Sequence, residues 1–290
     1  MTLKIALSEQ FAKKLIAIVS RDRGGRGVSK LCRPSDWRAA AESFAPLRRV
    51  AVISGFFIPG ADAPETDGPG GAVMLARAYL RQGRSSEIWT DALCIDVMKA
   101  CAEAAGYPAE LVKEAPSLLA DSRMDGLIFS ERLGRAADGG YYNFRKMDIS
   151  RWTPALDRLA DEARLLSIPT FGIGDGGNEV GMGCFYDELC ALLPDYASCL
   201  CTVRTDCAVA VDVSNWGAYA ATAALSCLWG SWRGPERGEE LAMLEAVIKA
   251  GAVDGISRRP ELTVDGFDIA VQDKVISSLF ELWSQYSRKR

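Results

Sequence analysis

The stretch SIPTFGIGDGGNEVGMG, residues 167–183, decides the fold class. It begins with a short apolar run and continues into a long glycine-rich loop that carries two acids, Asp175 and Glu179. An apolar strand that ends in such a loop and leads into a helix is typical of a parallel sheet. The stretch therefore predicts a strand over 167–175, a helix from about 184 to 193, and a candidate site between them.

Four other apolar runs lead into segments with helical periodicity, so the same pattern covers most of the chain. The predicted strands are 49–55, 86–91, 124–130 and 207–214, and the predicted helices after them are 71–81, 92–105, 154–166 and 216–229. Further helices are predicted at the N-terminus, where Leu3, Ile5, Leu7, Phe11, Leu15 and Ile18 form an amphipathic pattern, and at 36–41, 239–250 and 269–287. Ser35-Asp36 is the expected cap of the helix at 36–41.

Strands that alternate with helices indicate an α/β fold: a mainly parallel sheet with helices on both faces and with N- and C-terminal helical additions. The only boundary that the pattern suggests lies near residue 46. We expect an N-terminal helical cap over 1–46 and an α/β catalytic domain over 47–290 that forms one compact unit.

The composition excludes several classes of function. The 290 residues carry a formal net charge of −4, so neither nucleic acid nor a membrane is an expected partner. The chain has no histidine, which rules out Ser-His-Asp and Cys-His catalysis and H-E-x-x-H zinc sites.

Its nine cysteines are scattered through apolar segments. They are typical of reduced core thiols, and we expect a cytoplasmic location.

Polar side chains follow the carboxyl end of each predicted strand. Because ligands bind at that edge of a parallel sheet, these side chains are candidates for a site. In chain order they are Asp62, Glu65, Asp67, Thr90, Asp91, Glu131, Arg132, Arg135, Asp138, Tyr141, Tyr142, Asn143, Arg145, the loop 174–183, Asp212, Ser214 and Asn215.

A structural role is the alternative for several of these residues. The arginines fit an exposed loop face as well as anion recognition, and the tyrosines fit packing as well as catalysis. Helix N-caps are expected at Asp91, Asp212 and Ser214. The loops 55–72 and 174–183 differ, because a simple turn needs only one or two glycines. We therefore predict a function for these two loops.

The four acids of these loops predict a site for a cation. Glu65, Asp67, Asp175 and Glu179 would repel one another at one sheet edge unless a divalent metal or an ammonium group lay among them. Oxygen ligands without histidine or cysteine suit magnesium or manganese. The loop 174–183 matches neither the phosphate loop G-x-x-x-x-G-K-[ST] nor the dinucleotide fingerprint G-x-G-x-x-G, so no nucleotide cofactor is expected.

Four ordered motifs resemble the D-glutamate cyclase family, formerly a domain of unknown function. They are ETDGPGGA (65–72), SERLGRAADGGYYNFR (130–145), TFGIGDGGNEVGMG (170–183) and VSNWGAYA (213–220). The resemblance extends from about residue 48 to 285 and concerns the stand-alone prokaryotic form and the C-terminal part of the longer mitochondrial form. Departures from the family pattern at Gly70, Leu133 and the run NFRK affect loop stiffness more than the acids.

The resemblance implies an α/β fold, an acidic pocket that holds a divalent metal in some members, and dehydration of D-glutamate to 5-oxo-D-proline. We assign roles on that basis as a hypothesis. Glu65, Asp67, Asp175 and Glu179 form the catalytic and metal-binding set, with the metal as Lewis acid. Within that set Glu179 is the expected proton acceptor.

The substrate is expected to bind beside these acids. Arg132 or Arg135 would hold its α-carboxylate, and backbone N–H groups of the glycine loop would stabilise the oxyanion. Gly174, Gly176, Gly177, Asn178 and Asn215 complete the predicted substrate site. The expected partner is a small acidic amino acid, and a homo-oligomer is left open. The alternatives are a metal-dependent hydrolase of a small anionic substrate and a non-catalytic amino-acid-binding protein.

Overall fold

The computed structural model describes residues 6–287. In that part of the chain the strands are β1 (Arg49–Ile53), β2 (Phe57–Ile58), β3 (Ala63–Pro64), β4 (Ser85–Thr90), β5 (Val112–Glu114), β6 (Gly126–Ser130), β7 (Thr170–Gly174), β8 (Cys207–Ala210), β9 (Thr263–Val264) and β10 (Phe267–Asp268). The helices are α1 (Glu9–Val19), α2 (Pro34–Phe44), α3 (Pro69–Arg81), α4 (Ile95–Ala104), α5 (Arg158–Leu166), α6 (Tyr186–Leu192), α7 (Ser214–Trp229), α8 (Glu239–Lys249) and α9 (Ile269–Ser287).

Six strands form a central sheet in the order β5-β4-β1-β6-β7-β8, and every neighbouring pair is parallel. Both β6 and β7 are buried along their whole length, as expected where helices cover both faces of a parallel sheet. The predicted α/β fold with a mainly parallel sheet is confirmed. The strand order reverses between β1 and β6, and a crevice opens there at the carboxyl ends of the strands.

The N-terminal segment packs into the same core as the sheet. Phe11 and Leu15 of α1 and Trp37 and Phe44 of α2 belong to one apolar cluster with the central strands. The backbone carbonyl of Val19 accepts a hydrogen bond of 2.8 Å from the N–H of residue 212, just beyond β8. A boundary near residue 46 stays a prediction, but residues on both sides of it share one core.

Some local predictions need correction. The second helix begins at Pro34, because proline fits the first helical position, and Asp36 accepts the N–H of Arg33 at 2.7 Å instead of being the cap. The strand β5 and the hairpins β2–β3 and β9–β10 were not predicted, since two or three residues are too few for a periodic signal. Positions 3 and 5 of the N-terminal pattern lie outside the described residues.

Two further predictions concern the surroundings of the protein. Among residues 6–287, no helix has the length and apolar character needed to cross a bilayer. Within residues 6–287 the cysteines form no disulfide bond. The cytoplasmic location and a homo-oligomeric state stay predictions.

Candidate functional site

Three carboxylates meet at the crevice where the strand order reverses. Asp67, Glu131 and Asp175 each offer an oxygen atom, and these oxygens lie within 4.8 Å of one another. All three residues are buried. They reach this point from the loops after β1, β6 and β7, so the sheet topology brings together residues that are far apart in sequence. We call these three residues the acidic cluster.

Glu131 has two features that are typical of a functional position. It directly follows β6 with a left-handed backbone, φ 47°, a conformation that is unfavourable for a residue with a side chain and recurs at active sites. Its Oε2 atom is buried without a hydrogen-bond partner among the described residues. A buried carboxylate oxygen without a donor is costly, and a bound cation would satisfy it.

Asp67 is held by the start of helix α7. Its carboxylate accepts the N–H groups of Ser214 at 2.9 Å and Asn215 at 2.8 Å, and Asp175 accepts the same Ser214 N–H at 3.1 Å. These donors and the helix dipole favour the ionised form. Burial and the nearby charge of Asp265 outweigh them, and together they raise the pKa of Asp67 to about 7.

Glu65 faces the pocket, and unlike Asp67 it is not bound by backbone N–H groups. Among residues 6–287, none donates a hydrogen bond to its carboxylate. Burial first, and then the charges of Asp265 and Asp67, raise its pKa well above the ordinary value. Gly255 lies against it so closely that a Cβ there would stand 1.7 Å from Oε1 of Glu65. Burial likewise raises the pKa values of Glu131 and Asp175.

Glu179 holds its own loop together. Its carboxylate accepts the backbone N–H groups of Asp175 at 3.1 Å, Gly176 at 2.6 Å and Gly177 at 2.8 Å. The absence of a side chain at Gly174 makes room for this arrangement, because a Cβ there would lie 2.8 Å from Oε2 of Glu179. These N–H groups, which we expected to face an oxyanion, therefore bind Glu179.

The two predicted asparagines have different surroundings. Asn215 is buried behind the pocket, where its Oδ1 accepts the N–H groups of Gly68 at 3.0 Å and Gly71 at 2.7 Å. Asn178 lines the pocket and donates from Nδ2 to the carbonyl of Tyr142 at 2.8 Å.

Neither predicted arginine faces the pocket. Arg132 is buried and donates to the carboxylate of Asp91 and to the carbonyls of Gly55 at 2.9 Å and Pro154 at 2.5 Å. Arg135 pairs with two acids of its own neighbourhood, Asp157 at 2.7 Å and Asp161 at 2.6 Å. Arg132 is held in this way because a charge removed from water needs a partner, whereas the Arg135 side chain is 37% exposed.

Arg26, from the segment between α1 and α2, reaches the pocket instead. It donates to Asp175 at 2.5 Å and to Asp265 at 2.7 Å. Burial would lower its pKa, but the surrounding carboxylates outweigh that effect and raise the pKa. Arg26 therefore stays positively charged and compensates part of the negative charge of the site.

A pocket of about 150 Å³ opens above these acids. This is below the range of about 300–1,000 Å³ that is typical of drug-sized ligands, so the pocket suits a small metabolite. Its wall contains the apolar residues Phe56, Ile58, Phe144 and Ile256, the cations Arg26, Arg145 and Arg258, and the acids Glu65, Glu131, Asp175, Glu179 and Asp265.

The donor set fits a hard divalent cation. The acidic cluster supplies only carboxylate oxygens, which are the ligands that magnesium and manganese prefer. The unpartnered oxygen of Glu131 is consistent with a cation at this position. Glu65 and Glu179, the other two predicted ligands, lie beside the cluster but outside the set of mutually close oxygens.

The sequence did not single out Glu131, Arg26 or Asp265 as members of the site. Glu131 was one of the polar residues after the third predicted strand, and a signal that could have selected it is its place immediately after a fully apolar run. Arg26 lies in the basic, glycine-rich run RDRGGRG (21–27). Asp265 follows a hairpin strand that is too short to predict.

Comparison with known proteins now identifies the family. The family model described as D-glutamate cyclase-like, C-terminal, matches residues 15–280. The chain belongs to the D-glutamate cyclase-like family. A relative is the human protein named mitochondrial D-glutamate cyclase, which is 34% identical over 246 residues, covering 77% of this chain and 40% of the relative.

The chain therefore spans well under half the length of that human D-glutamate cyclase. The family resemblance stated from the four motifs is confirmed. The buried acidic cluster is compatible with metal binding.

Proposed function

We propose that this protein is a D-glutamate cyclase-like lyase that dehydrates D-glutamate to 5-oxo-D-proline. The observation that carries the proposal is the position of Glu65, which faces the same small pocket as Glu131 and Asp175 of the acidic cluster. The named activity of the human relative supports the choice of reaction. A pocket rich in carboxylates suits a substrate whose reacting group is an amine.

The residues that would hold a divalent cation are Asp67, Glu131 and Asp175, with manganese and magnesium as candidates. When bound there, the ion supplies Lewis acidity toward a carboxylate oxygen. Asp67 and Asp175 are already fixed by the first N–H groups of α7. Their oxygens are therefore placed before a ligand arrives, which limits the cost of ordering the site.

Glu65 is the proton acceptor that we favour. The α-ammonium group must lose two protons when it becomes the lactam N–H, and the oxygen that leaves the γ-carboxyl must gain two to depart as water. A carboxylate with a raised pKa and no fixed donor can take a proton from the amine and return it to the leaving oxygen. The new bond joins the amine nitrogen to the γ-carbon, and the broken bond is that of the γ-carbon to the departing oxygen.

Glu179, which we first expected as the base, has a positioning role in this proposal. Taking a proton there would weaken the hydrogen bonds from the three backbone N–H groups that its carboxylate accepts. Those bonds fix the loop that carries Asp175. Arg26 fixes the same acid from the other side at 2.5 Å.

The experiment that tests the proposal is incubation of the purified protein with D- or L-glutamate, with and without Mn²⁺ or Mg²⁺, and detection of 5-oxoproline by mass. We expect product from D-glutamate. Turnover of generic esters without product from D-glutamate would favour a hydrolase. Thermal stabilisation by D-glutamate without product would favour a binding protein.

A further inference from the structure

We propose that Arg145 and Arg258 bind the α-carboxylate of the substrate at the mouth of the pocket and direct its amine toward the acids. This inference rests on the proposed function, because it assigns a group of the amino acid to each end of the pocket. It replaces the role first expected of Arg132 and Arg135.

The two guanidinium groups line the pocket without an internal ion pair. No carboxylate that the structure describes lies within ion-pair distance of Arg145 or Arg258. Arg145 is exposed and has one long hydrogen bond, 3.4 Å from Nη2 to the carbonyl of Ile256. By contrast, Arg26, Arg132 and Arg135 are each paired with carboxylates. Among the arginines that line the pocket in the described part of the chain, Arg145 and Arg258 therefore offer donors that a substrate can use without breaking an ion pair.

Arg258 is placed at the mouth by a local backbone constraint. Its φ is 58°, a left-handed conformation that is unfavourable for a residue with a side chain. Its backbone N–H donates to the carbonyl of Asp254 at 2.7 Å. The side chain lies against the β2–β3 turn, where Nη1 would stand 2.9 Å from a Cβ at Gly60.

The pocket thus has charges of opposite sign at its two ends. Glu65, Glu131 and Asp175 are buried carboxylates inside, where Arg26 compensates part of their charge. Arg145 and Arg258 supply positive charge near Ile256, a residue that is 54% exposed. Apolar side chains, among them Phe56 and Phe144, line the wall and suit the methylene groups of an amino acid.

The chemistry of cyclisation fits this polarity. The amine and the γ-carboxyl group react with each other, so both must lie beside the acids that move protons. The α-carboxylate is unchanged in the product and can stay bound throughout. Planar guanidinium groups bind a carboxylate through paired hydrogen bonds, so the two arginines suit this unreactive group.

The test compares D-glutamate with D-isoglutamine, in which the α-carboxylate is replaced by a carboxamide. The variants are Arg258→Gln, Arg145→Gln and their combination. Each substitution removes a charge-assisted hydrogen bond at a partly exposed site. We therefore expect the KM for D-glutamate to rise about tenfold in Arg258→Gln and less in Arg145→Gln. We expect kcat to change little and KM for D-isoglutamine to stay constant. Arg258→Lys should restore part of the loss, because it keeps the charge.

Arg259→Gln is the matched control. Arg259 is next in the chain, its side chain is 70% exposed, and it pairs with Glu261 at 2.8 Å outside the pocket. This variant should leave both KM values unchanged. An unchanged KM for D-glutamate in the double variant, or an equal change for both substrates, would overturn the inference.

The same variants separate this inference from the proposed function. If the wild-type protein makes no 5-oxoproline, the proposed function fails, and calorimetry with the same two compounds then decides the inference alone. Tighter binding of D-glutamate than of D-isoglutamine, lost in the double variant, would support it. Equal binding of the two compounds, or no binding of either, would overturn it.

Discussion

Asp67 and Asn215 cap each other's helices. The Asp67 carboxylate accepts the N–H groups of Ser214 and Asn215 at the start of α7. The Asn215 carboxamide in turn accepts those of Gly68 and Gly71 at the start of α3. The motifs ETDGPGGA and VSNWGAYA are therefore one structural unit, and its positive helix ends point toward the acidic cluster.

Asn215→Ala should destabilise the fold. The substitution leaves the N–H groups of Gly68 and Gly71 without an acceptor in a buried place, so we expect the free energy of unfolding to fall by about 2–3 kcal/mol. Urea denaturation measures the change. Asn143→Ala is the control, because its Oδ1 also accepts two backbone N–H groups, those of Arg145 and Met147, but in an exposed turn. An equal loss in both variants would contradict the capping role.

The metal-free protein should lose stability as the pH rises through about 7. The pKa of Asp67 is about 7 in the folded protein, against about 3.9 in an unfolded chain. An acid whose pKa is higher in the folded protein than in the unfolded chain adds stability at low pH. This stability is fully present below the pKa of the unfolded chain, and it is lost as the pH rises through the pKa of the folded protein. The slope is about 1.4 kcal/mol per pH unit for each acid still protonated. Denaturation in EDTA from pH 5 to 8.5 checks the direction, and a free energy of unfolding that rises over this range would refute it.

Glu131→Gln should weaken the binding of Mn²⁺ by about tenfold or more, because it removes a charged oxygen ligand. The same change should stabilise the metal-free protein at high pH, since Gln cannot ionise at a buried position where desolvation and the neighbouring acids disfavour the charged form. Calorimetric titration and thermal melts measure the two effects. Glu240→Gln is the control: Glu240 is also buried, with a pKa raised to about 7 by burial, but it bonds to Tyr219 outside the acidic cluster. Equal metal affinity in the two variants would exclude Glu131 as a ligand.

Gly255→Ala should abolish most activity while the fold stays intact. The added Cβ would lie 1.7 Å from Oε1 of Glu65, so the flexible end of that side chain must move away from its place in the pocket. We expect kcat to fall by about 100-fold, the scale of a lost general base, with a change in stability near 1 kcal/mol. Gly24→Ala, where the nearest atom to an added Cβ is 3.9 Å away, should retain activity. Full activity of Gly255→Ala would argue against Glu65 as proton acceptor.

The sequence predicted the sheet well because its strands are apolar runs that end at loops. The strand predicted at 167–175 is β7 (Thr170–Gly174), and the run predicted at 207–214 holds β8 and the first residue of α7. Strand β5 has only three residues, and two of them are exposed at the edge of the sheet, so no alternation was visible. The hairpins β2–β3 and β9–β10 are defined by the pairing of two short segments. A local sequence pattern does not contain information about that pairing.

The site was harder to predict because proximity depends on the tertiary fold. The predicted strand ends indicated the region of the candidate site and four acids in it. They did not show that Glu131, turned by its positive φ, joins Asp67 and Asp175. The strand ends also could not show which arginines form ion pairs inside the protein. Arg132 pairs with Asp91, whereas Arg26 arrives from a segment that precedes the sheet.

The most direct test of the central claim is formation of 5-oxo-D-proline from D-glutamate by wild-type protein and by Glu65→Gln, in the presence of Mn²⁺ or Mg²⁺. Glu103→Gln, a change of an exposed acid in α4, is the control. The proposed mechanism predicts product with the wild type and the control, and a rate at least about 100-fold lower with Glu65→Gln. No product with the wild type, or an unchanged rate with Glu65→Gln, would contradict it.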